Sequence, residues 1–121
     1  MSLKDSSISV WEALPANIAS GASITDAINL GGLRVFGIVI PAEWTAANLT
    51  FQASFDAGAT WVNIFDKAGD EFTVSASASR YVILDPIDFA AIQMLKIRSG
   101  MSATPVTQTA LRDINLVLRR I

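Results

Sequence analysis

The stretch LTFQASFDAGATWVNIFD, residues 49–66, sets apolar side chains at every second position, turns at Asp-Ala-Gly, and then alternates again. Leu49, Phe51, Ala53 and Phe55 point one way; Thr50, Gln52 and Ser54 point the other. A period of two over this length is the pattern of a half-buried β-strand. Asp56 and Gly58 are expected to make the turn, with Gly58 supplying a positive φ at little steric cost. WVNIFD then reads as the returning strand of a hairpin. Alternation places Phe55 and Phe65 toward the core. Trp61 shares a face with Asn63 and Phe65, so it is expected to pack at the end of a sandwich instead of standing free for a ligand.

The same period recurs along the chain. EFTVSAS (71–77) alternates Phe72, Val74 and Ala76 with Glu71, Thr73 and Ser75. INLVLR (114–119) sets Ile114, Leu116 and Leu118 against Asn115, Val117 and Arg119. LRVFGIVIP (33–41) is instead apolar almost throughout from Val35 to Ile40, and its β-branched content reads as a strand covered on both faces. Further strands are expected at SISVWEA (7–13), ASITDAINL (22–30), RYVILD (80–85) and MLKIRS (94–99). One or two short helical turns are expected, at two candidate stretches. One is AEWTAAN (42–48); the other is PIDFAAIQ (86–93), where Asp85 can cap and Pro86 suits a first helical position. Phe36, Ile38, Phe51, Phe55, Ile97 and Leu116 are the expected core. Many short strands divided by Gly, Asp and Pro turns predict an all-β chain. The spacing means a sandwich or a barrel, and of these the chain is read as a single jelly-roll-like antiparallel β-sandwich domain over residues 1–121.

Composition narrows the chemistry. The chain holds no cysteine and no histidine, which removes disulfides, thiolate metal sites and the commonest general base. A serine nucleophile would need a lysine base, and no Ser-x-x-Lys spacing accompanies the lysines. An enzyme is therefore not expected, nor is a cofactor. Net charge is -2 and the basic residues are scattered, so no stripe exists to neutralise phosphates and nucleic acid is not an expected partner. No apolar run is long enough for a membrane helix. Apolar residues make up 51% and charged residues 17%, against roughly 25% charged in an average soluble protein. That excess of apolar side chains over polar cover means either that the strands are mostly covered on both faces or that some surface is covered by other subunits.

Candidate contact residues fall into two groups. Trp44, Asp56 and Trp61 lie in or beside loops. Arg34, Lys96 and Arg98 lie on strand faces opposite apolar partners and, with Gln52, Asn115 and Arg119, would form a mildly cationic patch if their strands adjoin. Tryptophans beside polar groups can stack on a sugar ring, and equally can close the end of a sandwich. Asp56, Asp66 and Asp70 flank successive loops; they can cap turns, or converge on a hard cation. No EF-hand-type spacing accompanies them, and a metal is not expected.

Ser54, Asp56, Gly58 and Trp61 resemble the S-x-D-G-x-x-W hairpin of discoidin-like jelly rolls, with Ala57 breaking the Asp-Gly pair. MLKIRS echoes a late strand of the same modules. A longer resemblance covers roughly residues 24–121. AINLGGLRVFGIVIPAEWTAANLTFQASFD, MLKIRSG and LRDINLVLR are similar to small β-sandwich proteins encoded among the structural genes of tailed phages and prophages. The marks are Leu30-Gly31-Gly32, the connection Pro41 to Thr45, and the strand Leu95 to Ser99. That resemblance implies a non-enzymatic virion component of head, decoration or tail type. It would be made in the bacterial cytoplasm and partnered by its own copies or by other virion proteins. The alternative is a carbohydrate-binding module that uses the loop aromatics on a glycan.

Overall fold

Eight strands carry the chain in the computed structural model, which describes residues 11–120: β1 (Trp11–Ile18), β2 (Ile28–Asn29), β3 (Arg34–Ile40), β4 (Leu49–Ser54), β5 (Val62–Asn63), β6 (Arg80–Ile83), β7 (Met94–Ser99) and β8 (Arg112–Arg119). They form two four-stranded antiparallel sheets, ordered β1-β8-β3-β6 and β2-β7-β4-β5. Alternation decides which side of each sheet is dry. From the first sheet, Ala16, Ile18, Val35, Ile38, Ile40, Ile114, Leu116 and Leu118 are buried; from the second, Ile28, Leu49, Phe51, Leu95 and Ile97 meet them in one core. Both inner faces are therefore covered, as an all-β sandwich requires.

The expected β3, β4, β6, β7 and β8 are present. The expected first strand, residues 7–13, lies partly outside the described residues, and β1 runs on through Pro15 to Ile18. Pro15 is tolerated because β1 is an edge strand. Other segments are shorter than the alternation suggested. Only Ile28–Asn29 of residues 22–30 forms a strand, with Ile24 in a lone bridge to Arg98. Only Val62–Asn63 of residues 61–66 pairs with β4. Residues 71–77 keep the alternation, with Val74 and Ala76 buried, but are held by the lone bridges Phe65–Glu71 and Leu49–Val74. A period of two reports that one side is buried, not that a partner strand is at hand.

Of the two candidate helical turns, one forms. Pro86–Phe89 is a 3-10 turn, begun by Pro86 and capped by the Asp85 carboxylate, which accepts from the Ile87 N–H. Residues 42–48 form no helix. Trp44 and Thr45 are anchored there by other partners, described below.

Two expected core residues are elsewhere. Phe55 is 79% exposed, because β4 ends at Ser54 and the chain bends away before the next inward position. Phe65, beyond the end of β5, is 54% exposed. Phe36 is half-buried at a β-bulge, where the register of β3 against β8 shifts between Val35 and Gly37. Ile38, Phe51, Ile97 and Leu116 are fully buried as expected. Phe51 packs against Phe72 and Phe89, with ring centroids 5.7 and 5.4 Å away.

Candidate functional site

The outer face of the second sheet gathers four of the six candidate residues. Strand pairing sets Asn63 opposite Gln52 and Gln52 opposite Lys96; the next row sets Thr50 opposite Arg98. Asp56 and Trp61 belong to the loop that joins β4 to β5, at the end of this face.

That loop is built around two short side chains. The Ser54 hydroxyl donates to the Asp56 carboxylate at 2.8 Å and accepts from the Gly58 N–H at 2.7 Å. The same carboxylate accepts from the Thr60 N–H at 2.7 Å. Hydrogen bonding from Thr60, and then from the Ser54 hydroxyl, holds the Asp56 carboxyl below its usual 3.8. Gly58 takes a positive φ, as expected, and Ala57 takes one too, at 59°. A left-handed alanine is uncommon and signals a loop whose shape is imposed by its hydrogen bonds.

Trp61 lies half-buried beside this loop. Its indole N–H donates to the Gly58 carbonyl at 3.1 Å, and the Lys96 ammonium sits 4.5 Å from the ring centroid. That cation–π contact contributes about 0.5–1 kcal/mol. It also occupies the approach to the ring that a sugar would use for stacking.

Arg98 is not the surface cation that the sequence suggested. It is only 6% exposed. Its guanidinium donates to Glu71 Oε2 at 3.2 Å, to Thr50 Oγ1 at 3.1 Å and to Asn63 Oδ1 at 2.6 Å. Glu71 Oε1 accepts from the Ser102 N–H, and the Thr50 hydroxyl donates to the Gly100 carbonyl. Desolvating an ion pair is costly unless further hydrogen bonds complete it, and here they do. Among the described residues, no buried side-chain nitrogen or oxygen lacks a partner. The network ties the irregular 64–72 segment to the sheet. Glu71, Asn63 and Thr50 were not singled out in the sequence. The one available signal was Glu71 itself, an acid beside an apolar face that a buried arginine needs.

The expected cationic patch divides between the two sheets. Gln52, Lys96 and Arg98 belong to the second; Arg34, Asn115 and Arg119 belong to the first. Trp44 is 8% exposed, with its indole N–H on the Ala47 carbonyl at 3.0 Å, so it is closed to a ligand. The neighbouring Thr45 backbone is clamped by buried Gln108, which accepts from the Thr45 N–H and donates to its carbonyl. Arg112 completes this cluster by donating to Gln108 Oε1. Asp66 accepts from the Ala68 and Asp70 N–H groups of its own turn. Among the described residues, no three acidic side chains gather where a cation could be held.

A cleft of about 390 Å³ opens between the 64–72 segment and the 3-10 turn. Phe72 and Phe89 line it on one side, and Phe65, Asp66, Lys67 and Asp88 also border it.

The outer face of the first sheet is of different character. Strand pairing lines up Ala13, Val117, Gly37 and Ile83 in one row, and Pro15, Asn115, Val39 and Tyr81 in the next. Ile83 is 84% exposed and Tyr81 58%. The Tyr81 ring lies against Gly37, where a side-chain Cβ would come within 2.5 Å of it. The glycine lets an aromatic ring lie flat on the sheet. Asn115 is the one polar member of the eight.

No protein-family model matches the sequence, and no curated protein matches it. In structure it is similar to the crystal structure of SPBc2 prophage-derived protein YomS. The TM-score is 0.52 and the identity 14%, over 90% of this chain and 94% of that one. At such low identity the likeness speaks for the fold, and the sheet-rich fold is one that a prophage-derived protein also adopts. No helix among the described residues is long and apolar enough to cross a membrane.

Proposed function

We propose that this chain is a non-enzymatic structural component of a phage or prophage particle, acting in the head, its decoration or the tail by associating with copies of itself or with other virion proteins. The observation that carries this reading is the outer face of the first sheet. Eight adjoining positions across four strands hold one polar side chain, and an apolar face of that extent is typical of a protein–protein contact. The likeness to a prophage-derived protein along nearly the whole length of both chains supports the particle context. The strand order β1-β8-β3-β6 facing β2-β7-β4-β5 supports the jelly-roll reading, an architecture used repeatedly in viral shells.

The carbohydrate-binding alternative finds less support. It needs a bare aromatic face beside polar groups. Trp44 is buried, and Trp61 carries Lys96 over its ring and spends its N–H on its own loop.

The test is to purify particles from the producing bacterium and look for the chain by mass spectrometry at a fixed copy number relative to the major shell protein. Neighbouring genes encoding portal, capsid or tail proteins are expected as well. Absence of the chain from intact particles, with unrelated genes on either side, would refute the reading.

A further inference from the structure

The apolar face of the first sheet carries opposite charges at its two ends. Along β8 the outward residues are Asp113, Asn115, Val117 and Arg119, in that order. Asp113 is exposed, and Glu43 is exposed at the same end, where both border a shallow depression with Pro41 and Leu111. At the other end Arg119 lies directly opposite Arg34 on β3. Like charges paired across strands destabilise a sheet. The isolated chain therefore holds a small repulsion that a nearby carboxylate would relieve.

We propose that a second copy of this chain covers that face, related by a two-fold axis that lies between the sheets and runs across the strands. Such an axis reverses strand direction. Positions 113 and 119 are equidistant from 116, so it sets Asp113 of each copy over Arg119 of the other, with Arg34 and Glu43 reinforcing each pair. It also sets the Val117 row over the Asn115 row, and Tyr81 over Ile83. An isologous contact needs one patch that is complementary to itself, and an apolar centre with an acidic and a basic end meets that need. A two-fold axis along the strands is disfavoured, because it would stack Arg34 and Arg119 on their own copies.

The size of the face sets the strength. Strands lie about 4.8 Å apart and alternate residues about 6.8 Å apart, so the outward positions, four each on β1 and β8, three on β3 and two on β6, cover about 400 Å² on each copy. The total of about 800 Å² is the size of a weak contact. Dissociation in the micromolar range is expected, which suits a contact that a larger assembly repeats many times. The proposal rests on the assembly reading for taking the partner to be protein, and it names that partner.

Sedimentation velocity on the full chain tests it, from about 1 µM to about 1 mM. The wild type is expected to pass from monomer to dimer. Asp113→Arg and Arg119→Asp, both at exposed positions, are each expected to weaken the dimer by about tenfold or more, since each brings like charges together. The double variant restores both pairs and is expected to return within about threefold of wild type. Circular dichroism of all three confirms that the fold is kept. A wild type that stays monomeric throughout overturns the proposal and leaves the face to another protein. A dimer that ignores the single reversals, or that the double reversal fails to rescue, overturns it as well. Neither result removes the chain from particles, so particle composition judges the assembly reading separately.

Discussion

Phe51 and Phe55 sit on the same alternating run, four residues apart, and pattern alone assigns them equal weight. The structure does not. Phe51 is fully buried and packs against the rings of Phe72 and Phe89; Phe55 is 79% exposed. Phe51→Ala removes a buried aromatic side chain and leaves a cavity, a change that costs about 3–5 kcal/mol. Two tilted or edge-on ring contacts, worth about 0.5–1.5 kcal/mol each beyond area, push toward the upper end. The open cleft lined by Phe72 and Phe89 gives those rings room to settle, which pulls the other way. About 4 kcal/mol is expected. Phe55→Ala should cost less than about 0.5 kcal/mol, as exposed substitutions do. For a chain of 121 residues the unfolding entropy near the midpoint is about 0.25 kcal/mol/K, so Phe51→Ala should lower Tm by about 15 °C and Phe55→Ala by no more than about 2 °C. Urea denaturation followed by circular dichroism gives both losses on one scale. Equal losses would mean that β4 continues through residue 55. A loss below about 1 kcal/mol for Phe51→Ala would mean that the inner face of β4 is assigned wrongly.

Three further outcomes are expected. Glu71→Ala leaves the buried Arg98 guanidinium without its carboxylate and should cost about 3 kcal/mol in urea denaturation; a loss no larger than that of an exposed acid would show that the pair carries no stability. Gly100→Ala should cost at least about 2 kcal/mol, because φ is +90° and the new Cβ would come within 2.6 Å of the Val106 nitrogen and 2.8 Å of the Thr104 carbonyl, which cannot swing away; a near-neutral thermal shift would show that this turn is soft. Asp56 has its folded pKa lowered, so its contribution is complete above about pH 4 and is lost as pH falls through the lowered value. The stability gap between wild type and Asp56→Asn should therefore narrow on acidification below about pH 4, and a gap that widens there would reverse the assignment.

The sequence by itself determined that the chain is β-rich, where most strands run and which side of each is dry. These are local properties. Alternation at Leu49, Phe51 and Ala53, or at Ile114, Leu116 and Leu118, reads out the two-residue repeat of an extended backbone, and the Asp85-Pro86 pair announces its turn from side-chain chemistry alone. Only the tertiary structure decided where a strand stops. Phe55 and Phe65 continue the pattern one step past the ends of β4 and β5, and nothing in the period marks where a strand ends. Only the tertiary structure could sort the polar candidates as well. Arg34 and Arg98 look equivalent in sequence, yet strand order puts them on opposite sheets, and a glutamate 27 residues away buries one of them. The apolar face of the first sheet was legible as an excess of apolar residues without a place. Its rows, and the opposite charges at their ends, exist only because β1, β8, β3 and β6 lie side by side in register, and register is set by pairings between residues far apart along the chain.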